Sequence, residues 1–185
     1  MNKLITWKTA SILAAHKWAL LIIAAAVSTT AGAVLMTAGS GIISAPVFVR
    51  ADFAAPTDIK FKVKGGAQEV IHVPEAQQTV MQQIVIGPGG HTGWHSHPGP
   101  VVVLVKSGTM SFYDGDDPSC TERNYSAGQA FVDSGQGHVH IARNESTTDN
   151  LELWATYFDV PPPPPLPASQ NNFRIDAPNP GNCTF

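Results

Sequence analysis

The hydrophobic and polar positions of the chain change their pattern near residue 57. Beyond it, short apolar runs recur between clusters of Gly, Asp and Ser, and the run 59–64 alternates apolar and charged residues as a half-buried strand does. Eight strands are predicted in this way, over 59–64, 70–73, 79–86, 101–105, 110–113, 130–132, 138–142 and 151–158. No amphipathic helix interrupts them. The pattern therefore predicts an all-β fold, either an antiparallel sandwich or a jelly-roll barrel.

The first 50 residues follow a different pattern. Lys3, Lys8 and Lys17 are the only charged residues before Arg50, and the run from Trp18 to Val49 carries no charge. About 20 apolar residues span a bilayer, and preceding cationic residues favour a cytoplasmic amino end. We therefore expect a cytoplasmic basic segment over 1–17, a transmembrane anchor over 18–43 and a linker over 44–56.

A cleaved signal peptide is the alternative for the segment 18–43. Residues 20–27 would form its apolar core, and Ala31-Gly32-Ala33 fits a small-x-small cleavage site. Either interpretation places the main domain outside the cytoplasm, membrane-anchored in one case and secreted in the other. The membrane is a partner only through this amino-terminal helix.

The two cysteines agree with an exported domain. Cys120 and Cys183 both lie in polar, turn-like sequence, where free thiols would be exposed to oxidation, and a disulfide between them is the simplest expectation. A proline run over 161–167 predicts extended polyproline II structure that carries an irregular tail, 161–185, across the surface of the domain 57–160. The disulfide would pin that tail.

Charge excludes two classes of partner. From Arg50 onward, eight Lys and Arg stand against fourteen Asp and Glu, a net charge of −6, and no basic patch is evident. Nucleic acids and anionic membrane surfaces are therefore poor partners for the main domain, and a small molecule is the expected one.

Five of the seven histidines lie in two short windows. His91, His95 and His97 lie in the first, and His138 and His140 in the second. Side chains two residues apart on a strand project from the same face, so each His-x-His pair can direct two imidazoles at one point. Imidazole is the commonest protein ligand of transition metals. The pattern is typical of a metal site.

Glycine and histidine spacings in these windows resemble the two motifs of the cupins, a family of metal-binding β-barrels, over 71–158. The positions that match the first motif are Gly89, His95, His97 and Gly108, and those that match the second, with one extra residue ahead of Gly137, are Gly128, Gly137, His140 and Asn144. The resemblance implies a jelly-roll (cupin) barrel in which His95, His97 and His140 bind a divalent ion, with Fe, Zn, Mn, Ni and Cu as candidates. Many cupins pair into homodimers.

The sequence departs from the family at the glutamate ligand of the first motif. Val101 stands at that position, and no Asp or Glu occurs between Val85 and Tyr113. The site either keeps its metal on three neutral imidazoles or has lost it, and we favour retention. On a regular strand, His138 would share the inward face with His140, as a fourth ligand or as the partner of a metal-bound water. The alternative for His138 is an exposed histidine at a strand end.

A three-histidine site with open coordination positions is suited to two kinds of chemistry on a small chelating substrate. Bound Zn²⁺ would activate water for hydrolysis, whereas bound Fe²⁺ would support a dioxygenase reaction. The alternative is a non-catalytic protein of the cell envelope that binds a metal or a small ligand. Asp133, Glu145 and Tyr113 are candidate acids or bases only because they lie near the motifs.

Overall fold

The structure is a computed structural model that describes residues 35–64, 70–163 and 171–185. The predicted segment 1–17, most of the predicted anchor or signal segment 18–43, and residues 164–170 of the tail lie outside the described residues. Within the described ranges all regular structure is β, and no helix there is long and apolar enough to cross a membrane.

Thirteen strands account for the regular structure of the described residues. They are β1 (Ser40–Ser44), β2 (Val47–Asp52), β3 (Ile59–Lys62), β4 (Val70–Val73), β5 (Gln78–His91), β6 (His95–Ser96), β7 (Val101–Ser107), β8 (Thr109–Asp114), β9 (Arg123–Ser126), β10 (Ala130–Asp133), β11 (His140–Arg143), β12 (Leu151–Val160) and β13 (Ile175–Asp176). Each of the eight predicted strands overlaps one of them, although β11 begins two residues later than predicted and β3 ends two residues earlier. The prediction missed β1, β2, β6, β9 and β13.

The barrel sheet is antiparallel at every described pairing. Its strand order is β10-β7-β12-β5-β11-β6-β13, with β1 and β2 paired to β5 and with β8 paired to both β11 and β9. β3 and β4 form a separate two-stranded sheet. The result is an antiparallel, nearly closed barrel, which agrees with the predicted jelly-roll.

Two strands of the barrel sheet lie before residue 57. β1 and β2 occupy the end of the predicted anchor and most of the predicted linker, and both pair with β5. The long strand β5 offers them an edge of 14 residues. Hydrophobicity alone does not distinguish an uncharged edge strand from the end of a membrane segment, so the sequence pattern gives no separate signal for β1 and β2.

The core lies inside the barrel and follows the alternation of β12. Leu151, Leu153, Ala155 and Tyr157 are buried at every second position, while the residues between them are half-buried. They pack in two clusters that meet at Ile84 and Val103, which contact both.

A third apolar cluster joins the tail to the barrel. Trp94, Tyr113 and Ile141 of the barrel pack against Ala177 and Cys183 of the tail. Cys183 forms a disulfide with Cys120, which confirms the predicted pairing. The tail after residue 171 is therefore fixed to the end of the barrel that carries the histidines.

Candidate metal centre

His95, His97 and His140 meet inside the barrel. β6 and β11 pair so that His95 and His140 lie directly opposite each other, and opposite residues on neighbouring strands project from the same face. His97 follows two residues after His95 and turns to the same side. All three are buried, and their ligand nitrogens lie within 4.8 Å of one another. The structure thus brings together the three histidines that the sequence predicts.

Backbone carbonyls hold the three imidazole rings in place. Nδ1 of His95 lies 2.9 Å from the carbonyl oxygen of Gly93, and Nδ1 of His97 lies 2.7 Å from that of Phe173. Nδ1 of His140 lies 3.3 Å from the carbonyl oxygen of His138. A carbonyl oxygen only accepts, so each Nδ1 carries the proton and donates, which leaves the lone pair of each neutral ring on Nε2.

Burial keeps these rings neutral. It is the main cause that lowers the pKa of His95 well below its ordinary value, with the nearby His140 and His97 adding to the effect. Burial likewise lowers the pKa of His97 to about 4 and lowers the pKa of His140. Metal ions bind the unprotonated ring, so at neutral pH all three Nε2 atoms are available as ligands.

The three rings line an inner cavity of about 50 Å³. A water molecule needs roughly 10–15 Å³ of such space, so the cavity has room for an ion and a few small ligands. Most of its remaining wall is apolar, including Val101, Phe112 and Leu153. Val101, which stands where the cupin motif has a glutamate, therefore does face the histidines.

A carboxylate lies directly across from Val101. The register of β10 and β7 pairs Asp133 with Val101, and Asp133 lines the same cavity. Its Oδ1 lies 3.3 Å from Nδ1 of His138 and 3.6 Å from Nδ1 of His140. Its Oδ2 is buried and has no hydrogen-bond partner among the described residues.

Asp133 is ionised in spite of its burial. Burial by itself would raise the pKa of Asp133, but His140 and the hydrogen bond from His138 outweigh it and lower the pKa to about 2. The cavity therefore holds one negative charge beside three neutral imidazoles. Asp133 lies 36 residues after His97 in the sequence. Only the register between β10 and β7 distinguishes it from the other acidic residues near the motifs.

His138 does not belong to the group of His95, His97 and His140, and its ligand nitrogen lies instead within 4.8 Å of ligand atoms of Asp133 and His140. β11 begins at His140, and His138 lies in the preceding turn, where Gln136 and Gly137 have φ of 53° and 86°. Without a strand, the two-residue alternation does not apply. His138 instead contacts Asp133, and its Nε2 lies 3.3 Å from Oδ1 of Asp114. Its ring stacks on that of His140, with the ring centroids 6.0 Å apart, so His138 adjoins the centre on the side of His140 and Asp133.

The other two acid or base candidates lie elsewhere. Tyr113 packs in the cluster with Trp94 and Cys183, and Glu145 pairs with Arg143 near the surface. Neither lines the cavity that holds the histidines. Of the three candidates, only Asp133 belongs to the site.

No protein-family model matches the chain, and no curated protein matches it either. Similar solved structures include an uncharacterised protein with a double-stranded β-helix domain from Klebsiella pneumoniae, with 20% identity over 54% of this chain and 74% of that chain, at a TM-score of 0.40. A cupin-like protein from Thermotoga maritima has 24% identity over 42% of this chain and 55% of that chain, at a TM-score of 0.37.

An oxalate oxidase is similar to the same extent, with 22% identity over 52% of this chain and 45% of that chain, at a TM-score of 0.40. The chain spans less than two thirds of the oxalate oxidase and of the cupin-like protein. These likenesses concern the fold alone. The resemblance to the cupin superfamily therefore stays a prediction from the two histidine motifs.

Proposed function

We propose that this protein binds one divalent metal ion on the Nε2 atoms of His95, His97 and His140. The observation that carries the proposal is the set of three Nδ1-to-carbonyl contacts, at 2.9, 2.7 and 3.3 Å, which leaves each lone pair on the opposite nitrogen. Contacts that fix the tautomer and orientation of a ligand ring are what metal-binding histidines require. Packing of the core alone does not require three such rings in one buried cavity, whereas a metal site does.

The donor set fits a first-row transition metal. Imidazole suits Fe, Zn, Ni and Cu better than Mn, which prefers oxygen ligands, and three protein ligands leave coordination positions open. Three neutral ligands leave the charge of the ion unbalanced, and the ionised Asp133 in the same cavity offsets part of it. When bound, such an ion would supply Lewis acidity, or dioxygen chemistry if it is redox-active, to a small chelating substrate.

We propose an enzyme, of the dioxygenase or the hydrolytic type, ahead of a non-catalytic metal or small-ligand binding protein of the cell envelope. The open positions favour the enzyme. The residues of this chain would orient the ligands through the backbone carbonyls, exclude bulk water with the apolar wall around Val101 and Leu153, and keep an ionised carboxylate at Asp133.

Elemental analysis of full-length protein purified without an affinity tag tests the metal proposal. We expect close to one transition-metal ion per chain in the wild type, and loss of it in His97→Ala and His140→Ala with the strand content by circular dichroism retained. His72→Ala is the matched control, because His72 is half-exposed on β4, outside the inner cavity. Equal metal content in all four proteins would disprove the ligand assignment.

We also propose that the barrel unit works outside the cytoplasm, either membrane-anchored through its amino-terminal segment or secreted. The Cys120–Cys183 disulfide supports this location, because such bonds persist in oxidising compartments. Fractionation of cells that express the full chain, probed with an antibody against the barrel, would test it. Recovery of reduced protein in the cytoplasmic fraction alone would contradict it.

A further inference from the structure

A second, larger cavity lies against the metal centre. It measures about 300 Å³ and shares His95, His97, Thr92 and Tyr157 with the inner cavity as lining residues. A volume of this size suits a small organic ligand, whereas the inner cavity holds little more than an ion. We refer to it as the outer cavity.

The two ends of the described chain build the remaining walls of the outer cavity. Ala38, Gly39 and Ile42 come from the segment that leads into and forms β1, and Arg174 and Asp176 come from the tail. β13 pairs Ile175 with Ser96 and Asp176 with His95, which places this part of the tail beside the first two ligands. The resemblance to cupins covers neither end.

Arg174 is the cationic residue of this wall. Its Nε and Nη2 lie 2.7 Å from Oδ1 of Asp176, and Nη2 also donates to the carbonyl oxygen of Thr92 at 2.7 Å. These bonds fix one edge of the guanidinium group. For Nη1, the described residues provide no hydrogen-bond acceptor. Arginine presents its donors as a rigid fork that matches a carboxylate, so the second edge is available to one.

The charge of Arg174 reaches the metal centre. Burial is the main reason for the low pKa of His95 and of His97, and the positive charge of Arg174 lowers both further. The paired carboxylate of Asp176 offsets only part of this charge, because the Asp176 side chain is half-exposed and screened by solvent. An anion in the outer cavity would therefore meet a positive field from Arg174 and, beyond it, from a bound ion.

Two polar side chains, Tyr157 and Gln82, line the outer cavity together with Arg174 and two of the histidines. The hydroxyl of Tyr157 donates to Oε1 of Gln82 at 2.9 Å, and Gln82 donates to the carbonyl oxygen of Ala45 at 2.9 Å. Both side chains line the outer cavity. Their polar atoms give a small ligand hydrogen-bonding partners between its two charged ends.

We infer that the outer cavity binds a small carboxylate, with one carboxylate group on the Nη1 edge of Arg174 and its other end directed at the three-histidine centre. This inference rests on the proposed metal site for the second contact but not for the first. Arg174 thereby selects the substrate class, anionic over neutral, from a position in the tail.

Isothermal titration of the full-length protein with malonate, in metal-free and in cobalt-loaded form, tests the inference. Malonamide, which has a similar shape and no charge, is the matched ligand. Arg174→Gln should weaken malonate binding by at least tenfold in both forms, and Arg174→Lys should restore part of it. Asp176→Asn should tighten malonate binding about two- to fivefold, since it releases Arg174 from an exposed ion pair. Lys106→Gln, on the exposed face of β7, is the charge-matched control.

The outcomes separate the inference from the proposed function. Failure to take up cobalt disproves the metal site, while the contrast between wild type and Arg174→Gln in the metal-free protein still tests Arg174. Normal cobalt uptake with equal malonate affinity in wild type and Arg174→Gln overturns the inference. Equal affinity for malonate and malonamide, or no binding of malonate to either form, overturns it as well. If the Arg174–Asp176 ion pair had only a structural role, Asp176→Asn would weaken malonate binding, and this result would also overturn the inference.

Discussion

Removing the disulfide would show how far the tail holds the metal centre together. The perturbation is the double variant Cys120→Ser/Cys183→Ser. The bond joins residues 63 apart in sequence, and in the chain-entropy model closing a loop of that length stabilises the fold by about 4 kcal/mol. For a unit of this size, each kcal/mol lowers Tm by about 2–4 °C, so we expect a fall of about 8–16 °C.

The variant should also weaken metal binding, because the tail carries one of the contacts that orient the ligands. The carbonyl oxygen of Phe173 accepts from Nδ1 of His97 at 2.7 Å, and Phe173 lies ten residues before Cys183 in the chain. Loss of such an orienting contact typically costs 10–100-fold in metal affinity. We therefore expect a decrease of about tenfold or more in cobalt affinity for the double variant.

Urea denaturation with and without dithiothreitol, together with cobalt titration, measures both effects. Reductant should destabilise the wild type by the same amount as the double substitution does. The double variant is the matched control, because reductant should not destabilise it further. A loss of stability below about 1 kcal/mol, or an unchanged cobalt affinity, would refute the reasoning. It would mean that the pairing of β13 with β6 holds the tail without the bond.

Four further predictions follow from the same contacts. Asp133→Asn should lower metal affinity about 10–100-fold, measured by competition with a chelator, and full affinity would contradict the charge-compensating role. Val101→Glu should raise Fe or Mn retention in elemental analysis, since position 101 faces the histidines; unchanged retention would exclude it as a ligand position. The metal-free protein should lose stability as pH falls from 6.5 toward 4. In that window His97 becomes protonated in the unfolded chain but not in the folded chain, where the pKa of His97 is about 4. Urea midpoints that do not change with pH would contradict this. The predicted homodimer is tested by light scattering on the full chain, where a monomer mass would disprove it.

Much of the fold could be predicted because eight of its strands carry a local signal of their own. The alternation of β12 and the glycine and aspartate turns are local features, and local features are what a single sequence displays. β1 and β2 were missed since an uncharged edge strand has no local feature that separates it from a membrane segment. β6 and β13 are two residues each, too short for any periodicity.

The metal centre was predictable for the same reason, and its surroundings were not. His95 and His97 have the two-residue spacing of one strand face, and the spacing of His140 follows a motif, so all three stand out in the sequence. Asp133 belongs to the site only because β10 pairs with β7 in one register, and Arg174 only because β13 pairs with β6. The register between two strands that are far apart in the chain cannot be predicted from the sequence of either strand alone. His138 is the opposite case. It lies two residues before His140, but β11 begins only at His140, so the two-residue alternation of a strand does not extend to His138.

The division between predictable and unpredictable residues matches a division of labour in the molecule. The barrel supplies the three histidines from β6, the residue after it and β11, whereas the segments outside the cupin motifs supply Arg174 and Asp176 in the wall of the outer cavity. Phe173 and Arg174 sit side by side in the tail, one orienting His97 and the other presenting its charge to the outer cavity. A change in the tail could therefore alter metal affinity and substrate class together while the barrel stays intact. Phe173 acts through its backbone carbonyl, but its side chain is buried against Tyr157, so a smaller residue there should also disturb the orienting contact, whereas a substitution of the partly exposed Arg174 should leave it in place.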